Sequence, residues 1–309
     1  MPKNQGPDTQ DRGTASGVPA RTIQAGSTLP RRQLARHLRE LRQGTGMTIA
    51  EVAKRIERGY STLQRLESGT ADRIRLWDIE ALCQVLGADS TTTEALKGLA
   101  QQGNQSNWWH EYGDLIPPEF DVFIGLEAAA ARLTSHHELV PGLLQTPSYA
   151  EALFRAAYPH DASSEIARRV EMRLHRQRLV TRDRSPAAVD TVLGESALYR
   201  LVGSHAVMSQ QLRHLADIST RPNVTLRVLP FSAGIPLGEV PGPFTILDFE
   251  AHPKSPAEPS VVYAENLSGD MYLERPESVT RYRLAFETVV RVALNPQDSR
   301  DLLRQVARR

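Results

Sequence analysis

Along the first hundred residues the apolar positions recur at helical spacing and are interrupted by glycines. Leu34, Leu38 and Leu41 fall at i, i+4 and i+7, on one face of a helix, with Pro30 in the first turn, where its missing N–H costs nothing. The pattern stops at Gly44 and Gly46. Thr48, followed three residues later by Glu51, is a capping-box signature ahead of Val52, Ala53 and Ile56. A third short helix carries Leu63 and Leu66 inward and ends at Gly69. A fourth, over 77–86, turns Ile79, Leu82 and Cys83 inward and stops at Gly87, and a fifth follows Ser90 with Leu96 and Leu99. The second and third are joined by the tight turn Glu57-Arg58-Gly59.

Beyond a polar, Gly-containing connection at 103–107 the pattern changes. Helices are expected over 121–135, 147–157, 163–181 and 205–219, and two more close the chain over 276–294 and 299–307. Short β-branched runs at 189–193, 224–229, 244–249 and 261–265 read as strands, with 271–274 as a fifth. Strands joined sometimes by helix and sometimes by loop imply an α+β fold with a small mixed or antiparallel sheet. The expected organisation is a disordered arm over 1–29, an all-α five-helix unit over 30–103 and a larger α+β unit over 108–309. The arm, MPKNQGPDTQDRGTASGVPARTIQAGSTLP, has no apolar core segment of a secretory signal. Its polar composition cannot bury enough apolar surface to fold alone.

Two short helices around a tight turn, with further helices after them, match a helix-turn-helix core. In such a core the second helix enters the major groove of DNA. The stretches LRELRQGTGMTIAEVAKRI, YSTLQRLESG and LWDIEALCQVLGA resemble the Xre group, the lambda-repressor-like helix-turn-helix domains, with Arg65, Leu66, Glu67 and Gly69 as the most specific part. Three positions depart from that pattern. Glu57 stands where the turn favours a small residue, Gly59 where a Ser or Thr cap is common, and Ile49 where a polar phosphate contact is common. These departures bear on base preference and leave the fold intact. The later strings ELVPGLLQTPSYAEAL, VLGESALYRLVG, QLRHLADISTRPNVTLRVLPF and VVYAENLSGDMYLERPESVTRY are similar to a C-terminal domain attached to Xre readers in actinobacteria. Those proteins are described as antitoxin-like transcriptional regulators, and the resemblance implies a small co-encoded protein as a possible partner.

Charge sharpens the division. Residues 30–75 hold eleven Lys/Arg against five Asp/Glu, whereas 104–309 hold twenty-two against twenty-five. A basic unit tied to a mildly acidic one is the footprint of a chain that presents only its first part to a polyanion. Tyr60, Ser61, Thr62, Gln64 and Arg65 fill the positions of the third helix that Leu63 and Leu66 leave facing solvent. Arginine pairs bidentately with guanine and glutamine with adenine, which makes Arg65 and Gln64 the candidate base readers. The alternatives are an ion pair of Arg65 with Glu51 or Glu67, and packing of Tyr60 at the turn. Thr48, at the start of the second helix, and Arg73 and Arg75, in the loop after the third, are candidate contacts to phosphate or the minor groove.

In the second unit, Arg168, Arg169, Arg173, Arg176, Arg178 and Arg182 crowd one helix. They form a solvated face, a dock for an acidic partner centred on Arg169, Arg173 and Arg176, or a second DNA contact. The chain has no H-E-x-x-H, G-x-S-x-G, phosphate-binding glycine loop or C-x-x-C, so no enzyme activity, metal or cofactor is expected. A lone Cys83 allows no internal disulfide and is expected in the core. His136-His137 read as surface or packing residues, and Glu195 as the cap of the helix that follows it. No apolar run reaches the ~18–20 residues of a membrane span. The expectation is a cytoplasmic regulator that binds double-stranded DNA as a homodimer through its second unit. It responds to a protein partner or to a small-molecule effector. The alternative is an antitoxin-like module that sequesters a small co-encoded protein and binds DNA for autoregulation.

Overall fold

The computed structural model describes residues 29–71, 73–104, 108–239, 241–250, 258–266 and 269–308. The arm expected over 1–29 lies outside them except for Leu29. The first unit is five helices: α1 (Leu29–Thr45), α2 (Ile49–Arg55), α3 (Tyr60–Ser68), α4 (Leu76–Leu86) and α5 (Ser90–Gly103). Leu34, Leu38, Val52, Leu63, Ile79, Leu82 and Leu96 are almost wholly buried and form its core. The expected capping box closes on Thr48. Gly69 and Gly87 end α3 and α4 in the left-handed region, at φ 72° in both cases, where a Cβ would be strained. Asp89 caps α5, accepting the Thr92 amide at 2.7 Å.

The second unit begins with a 3-10 turn over Trp108–Tyr112. It continues through α6 (Pro118–Ala129), β1 (Arg132–His137), α7 (Pro147–Ala157), α8 (Ser163–Thr181), β2 (Ala188–Gly194), the single turn α9 (Ser196–Tyr199) and α10 (His205–Ile218). Next come β3 (Val224–Leu229), β4 (Phe244–Asp248), β5 (Val261–Ala264), β6 (Met271–Leu273), α11 (Pro276–Val292) and α12 (Pro296–Val306). The strands form one mixed sheet in the order β3-β2-β1-β4-β5-β6. β1, β2 and β3 run parallel, and β4, β5 and β6 continue antiparallel. The chain therefore has a helical helix-turn-helix unit followed by an α+β unit.

The helix expected over 121–135 is corrected: it stops at Ala129, and Arg132–His137 is the strand that joins the parallel and antiparallel halves. Being buried on both faces, this strand shows no apolar alternation. Its Thr134, Ser135 and His136 are interior polar residues; Ser135 is satisfied by a 2.9 Å hydroxyl contact with Thr191 on β2. Leu133, Val189, Leu193, Leu226 and Leu247 face the cluster that α8, α10 and α12 cover. Val192, Phe244, Ile246 and Val262 face the other side, against Val279, Phe286 and Val289 of α11. The sheet lies between two helical layers.

The two units meet through α1. Arg36 Nη2 lies 2.8 Å from the carboxylate of Glu258, which is only 7% exposed, and Arg32 pairs with Glu274. Burial raises the Glu258 carboxyl above its ordinary range and lowers the Arg32 guanidinium.

Candidate nucleic-acid interface

Helix α3 is held on its inner side and left free on its outer one. Leu63 and Leu66 sink into the core beside Val52. Glu67, next to Leu66, is buried and clamped by α1: Arg42 donates to both carboxylate oxygens at 2.7 and 2.9 Å, and Arg39 donates to the Glu67 carbonyl. This two-pronged bond raises the Arg42 guanidinium above its usual value. From the turn before α3, Arg58 reaches Asp78 in the first turn of α4 at 2.7–2.8 Å. Between these anchors Glu57 takes φ 54°, a left-handed conformation that a side chain adopts at a cost. Gly59 starts α3 without a side-chain cap.

What remains outward is the set chosen for base reading. Tyr60 is 53% exposed; Ser61, Gln64 and Arg65 are exposed and Thr62 is half-buried. Among the described residues none of these five side chains makes a hydrogen bond or ion pair. The competing pairing of Arg65 does not form, because Glu67 is occupied by Arg42 and Glu51 by Thr48.

The same geometry revises Thr48. Its amide and its hydroxyl both donate to Glu51 Oε2 at 2.8 Å. The carboxylate thus stands where a phosphate was expected, held ionised by those bonds below its ordinary pKa. A second anion there meets repulsion, so Thr48 acts as a helix cap.

Arg73 and Arg75 are both exposed, and Ile74 between them is buried at 3%. Asn104 fixes this loop from the far end of the unit: it accepts the Ile74 amide at 2.9 Å and donates to the Ile74 carbonyl at 2.5 Å. The preceding Gly103 carbonyl accepts Arg31 Nε at 2.7 Å, and a Cβ on Gly103 would lie 2.8 Å from Arg31 Cγ. Trp77 lies two residues after Arg75 and is 71% exposed. Neither Asn104 nor Trp77 was singled out by sequence reasoning. Asn104 looked like linker, and Trp77 like the first residue of a core helix.

The arginine helix is a correction. Arg169 and Arg176 are buried, not solvent-facing. Arg176 forms a two-pronged bond to Glu127 at 2.7 and 2.8 Å, beneath the rings of Phe120 and Phe123. Arg169 pairs with Asp161 at 2.9 Å and donates to the Leu115 carbonyl. Arg173 is half-buried over the Phe154 ring and donates to Gln145 Oε1 at 2.6 Å; burial and the nearby Arg176 lower its pKa. Their charges are used inside the domain, so these three do not form an external acidic-partner dock. Arg168 is also taken, by Asp114 at 2.7 Å.

One further expectation changes. The Glu195 side chain does not cap the helix after it; its carboxylate accepts the Phe231 amide, two residues beyond β3, at 2.7 Å. His136 and His137 are adjacent on β1, so their rings point to opposite sides of the sheet. His136 is almost fully buried, and burial together with His136 pushes His137 down to about 4. The PGLLQTPSY turn both reverses the chain and lines a groove of about 640 Å3 with Gln177, Gln210 and Arg213. Buried Gln211 braces the turn, accepting the Thr146 amide and donating to the Leu144 carbonyl.

Comparison with known families agrees with this division. A model of a helix-turn-helix domain matches residues 33–96. A model of a domain of unknown function (DUF5753) matches residues 120–305. The chain belongs to this family. No curated protein and no solved structure matches it. The helix-turn-helix match falls on the unit whose α3 keeps a free outer face. The chain is thus a helix-turn-helix DNA-binding regulator, with the DUF5753 unit occupying most of its length. Among the described residues no helix is long and apolar enough to cross a membrane.

Proposed function

We propose that the chain is a sequence-specific transcriptional regulator of Xre type, working in the cytoplasm, that lays α3 in the major groove. Gln64 and Arg65 meet base edges, flanked by Tyr60, Ser61 and Thr62, while Arg73 and Arg75 hold phosphates. The observation that carries this is the contrast within one small unit. Arg42 and Arg58 are committed to buried carboxylates, yet among the described residues Arg65 on the outer face of α3 and Arg73 and Arg75 in the loop that follows it have no carboxylate partner. Arginines kept free beside a polar helix face suit a polyanion read by its bases.

The DUF5753 unit is assigned dimerisation and the response to an effector, and no catalysis. The resemblance to actinobacterial antitoxin-like regulators supports a protein effector, and the braced groove beside Gln177 supports a small polar molecule. The antitoxin reading as a main function loses most of its physical motive in α8, where Arg169 and Arg176 are neutralised inside the fold.

The test is selection of bound duplexes from a random pool by the full chain. Enrichment of two related half-sites about one helical turn apart, ~34 Å, is the expected result. No enrichment over the starting pool contradicts sequence-specific reading, and enrichment of a single asymmetric site contradicts the dimer.

A further inference from the structure

The arginines near α8 that do not turn inward gather at one end of the sheet. Arg178 and Arg182 leave the last turn of α8 exposed, and Arg184 follows in the loop. Arg132 is exposed at the start of β1, in register with Ala188, the first residue of β2. Arg221, just after α10, donates Nη2 to the Thr181 carbonyl at 3.3 Å, and its Nε is buried without a partner. Among the described residues none of these five is ion-paired, whereas Arg168, Arg169 and Arg176 on the same helix all are. Asp183 and Asp217 are the exposed carboxylates beside them in sequence, so the edge keeps an excess of positive charge.

The linker between the units connects this edge to the basic loop of the first unit. Asn104 grips Ile74 between Arg73 and Arg75. Trp108, the next described residue of the chain, stacks on His175 at 3.9 Å and lines one cleft with Arg178 and Arg182. Four Cα steps separate Asn104 from Trp108, at most about 15 Å. Among the described residues, guanidinium groups without a carboxylate partner thus stand at both ends of this short linker. The maximum span of the linker compares with several base-pair steps of ~3.4 Å, and the planar fork of arginine fits phosphate oxygens.

We infer that this edge is a second contact to the DNA backbone, which extends the footprint of the reader along the same duplex without reading bases. The inference rests on the DNA-binding reading above. It accounts for the placement of the free arginines at the end of α8 that adjoins the linker.

The experiment measures binding of the full chain to a duplex of arbitrary sequence, about 30 base pairs long, across a salt series. Each phosphate contact adds about 0.9 to the slope of log K against log salt. Arg178→Gln with Arg182→Gln is expected to lower that slope by about two, because both residues contact phosphate. Arg281→Gln with Arg291→Gln removes the same charge from exposed positions on α11, across the sheet, and is expected to leave the slope unchanged. All four side chains are exposed, so thermal stability should hold. A slope unaltered by the first pair, or lowered equally by both pairs, overturns the inference while leaving the reader intact. Loss of binding to poly-glutamate with unchanged DNA binding makes the edge a dock for an acidic protein and also overturns it. Failure of the wild-type chain to bind any duplex contradicts instead the DNA-binding reading on which the inference rests.

Discussion

Helices α3 and α8 both carry arginine, and they use it in opposite ways. On α3 the arginine faces out, and the acids near it are already engaged by α1 and by the α2 cap. On α8 the guanidinium groups at Arg169 and Arg176 point in, stacked on aromatic rings and closed by Asp161 and Glu127. The difference shows that arginine density says little about a binding surface until the acids are placed. A buried guanidinium must be neutralised where it stands, because an uncompensated interior charge is costly. An exposed one can wait for a ligand. Substitutions at Arg169 and Arg176 should therefore damage folding, and substitutions on the outer face of α3 should damage DNA recognition.

The largest effect is expected at Glu127. Glu127→Ala leaves Arg176 buried without its carboxylate and should cost about 3–5 kcal/mol of stability in denaturant titrations. A loss below about 1 kcal/mol, the range of exposed pairs, would mean that the pair is wetter than its geometry indicates.

The interior histidines extend the same contrast to pH. The folded pKa of His137 is about 4, below its unfolded value of ~6.5. Between those values the unfolded chain binds a proton that the folded chain excludes. Stability is therefore lost as pH falls through that window, by up to about 3 kcal/mol. The gap in stability between wild type and His137→Gln should shift with pH across the window, and a constant gap would show that the ring titrates normally.

A smaller effect is expected where the two regions join. Asn104→Ala frees the Ile74 backbone and lets Arg73 and Arg75 wander, so the salt slope should fall by up to about two. Asn104→Asp keeps the acceptor for the Ile74 amide and should recover part of the slope. If both variants change melting temperature alone, Asn104 is a structural residue without a role in positioning the loop.

The first unit was legible because its signals are local. Thr48 and Glu51, the glycines at 69 and 87, and the leucines at helical spacing fix its helices within a few neighbours. Most strands of the second unit were legible for the same reason: Val224–Leu229 and Phe244–Asp248 are apolar runs. The central strand was not, because Arg-Leu-Thr-Ser-His-His is buried by tertiary contacts on both faces and carries its polar groups inside. The direction of the α8 arginines was equally hidden. Their partners Glu127 and Asp161 lie on other elements, and no spacing along the chain announces them. The Asn104 clamp spans thirty residues to Ile74 and left no local trace. The only hint of Trp77 was an aromatic residue beside two arginines.

The most direct check of the central claim uses Arg65→Ala and the duplex selected by the wild-type chain. Affinity is measured on that duplex and on a scrambled one at fixed salt, with thermal stability recorded alongside. Because the exposed Arg65 side chain makes no hydrogen bond or ion pair among the described residues, its loss should leave stability within about 0.5 kcal/mol. It should reduce the preference for the selected duplex by about 1–3 kcal/mol, with binding to the scrambled duplex nearly unchanged. Equal weakening on both duplexes would make Arg65 a backbone contact, and would contradict the assignment of the free face of α3 to base reading.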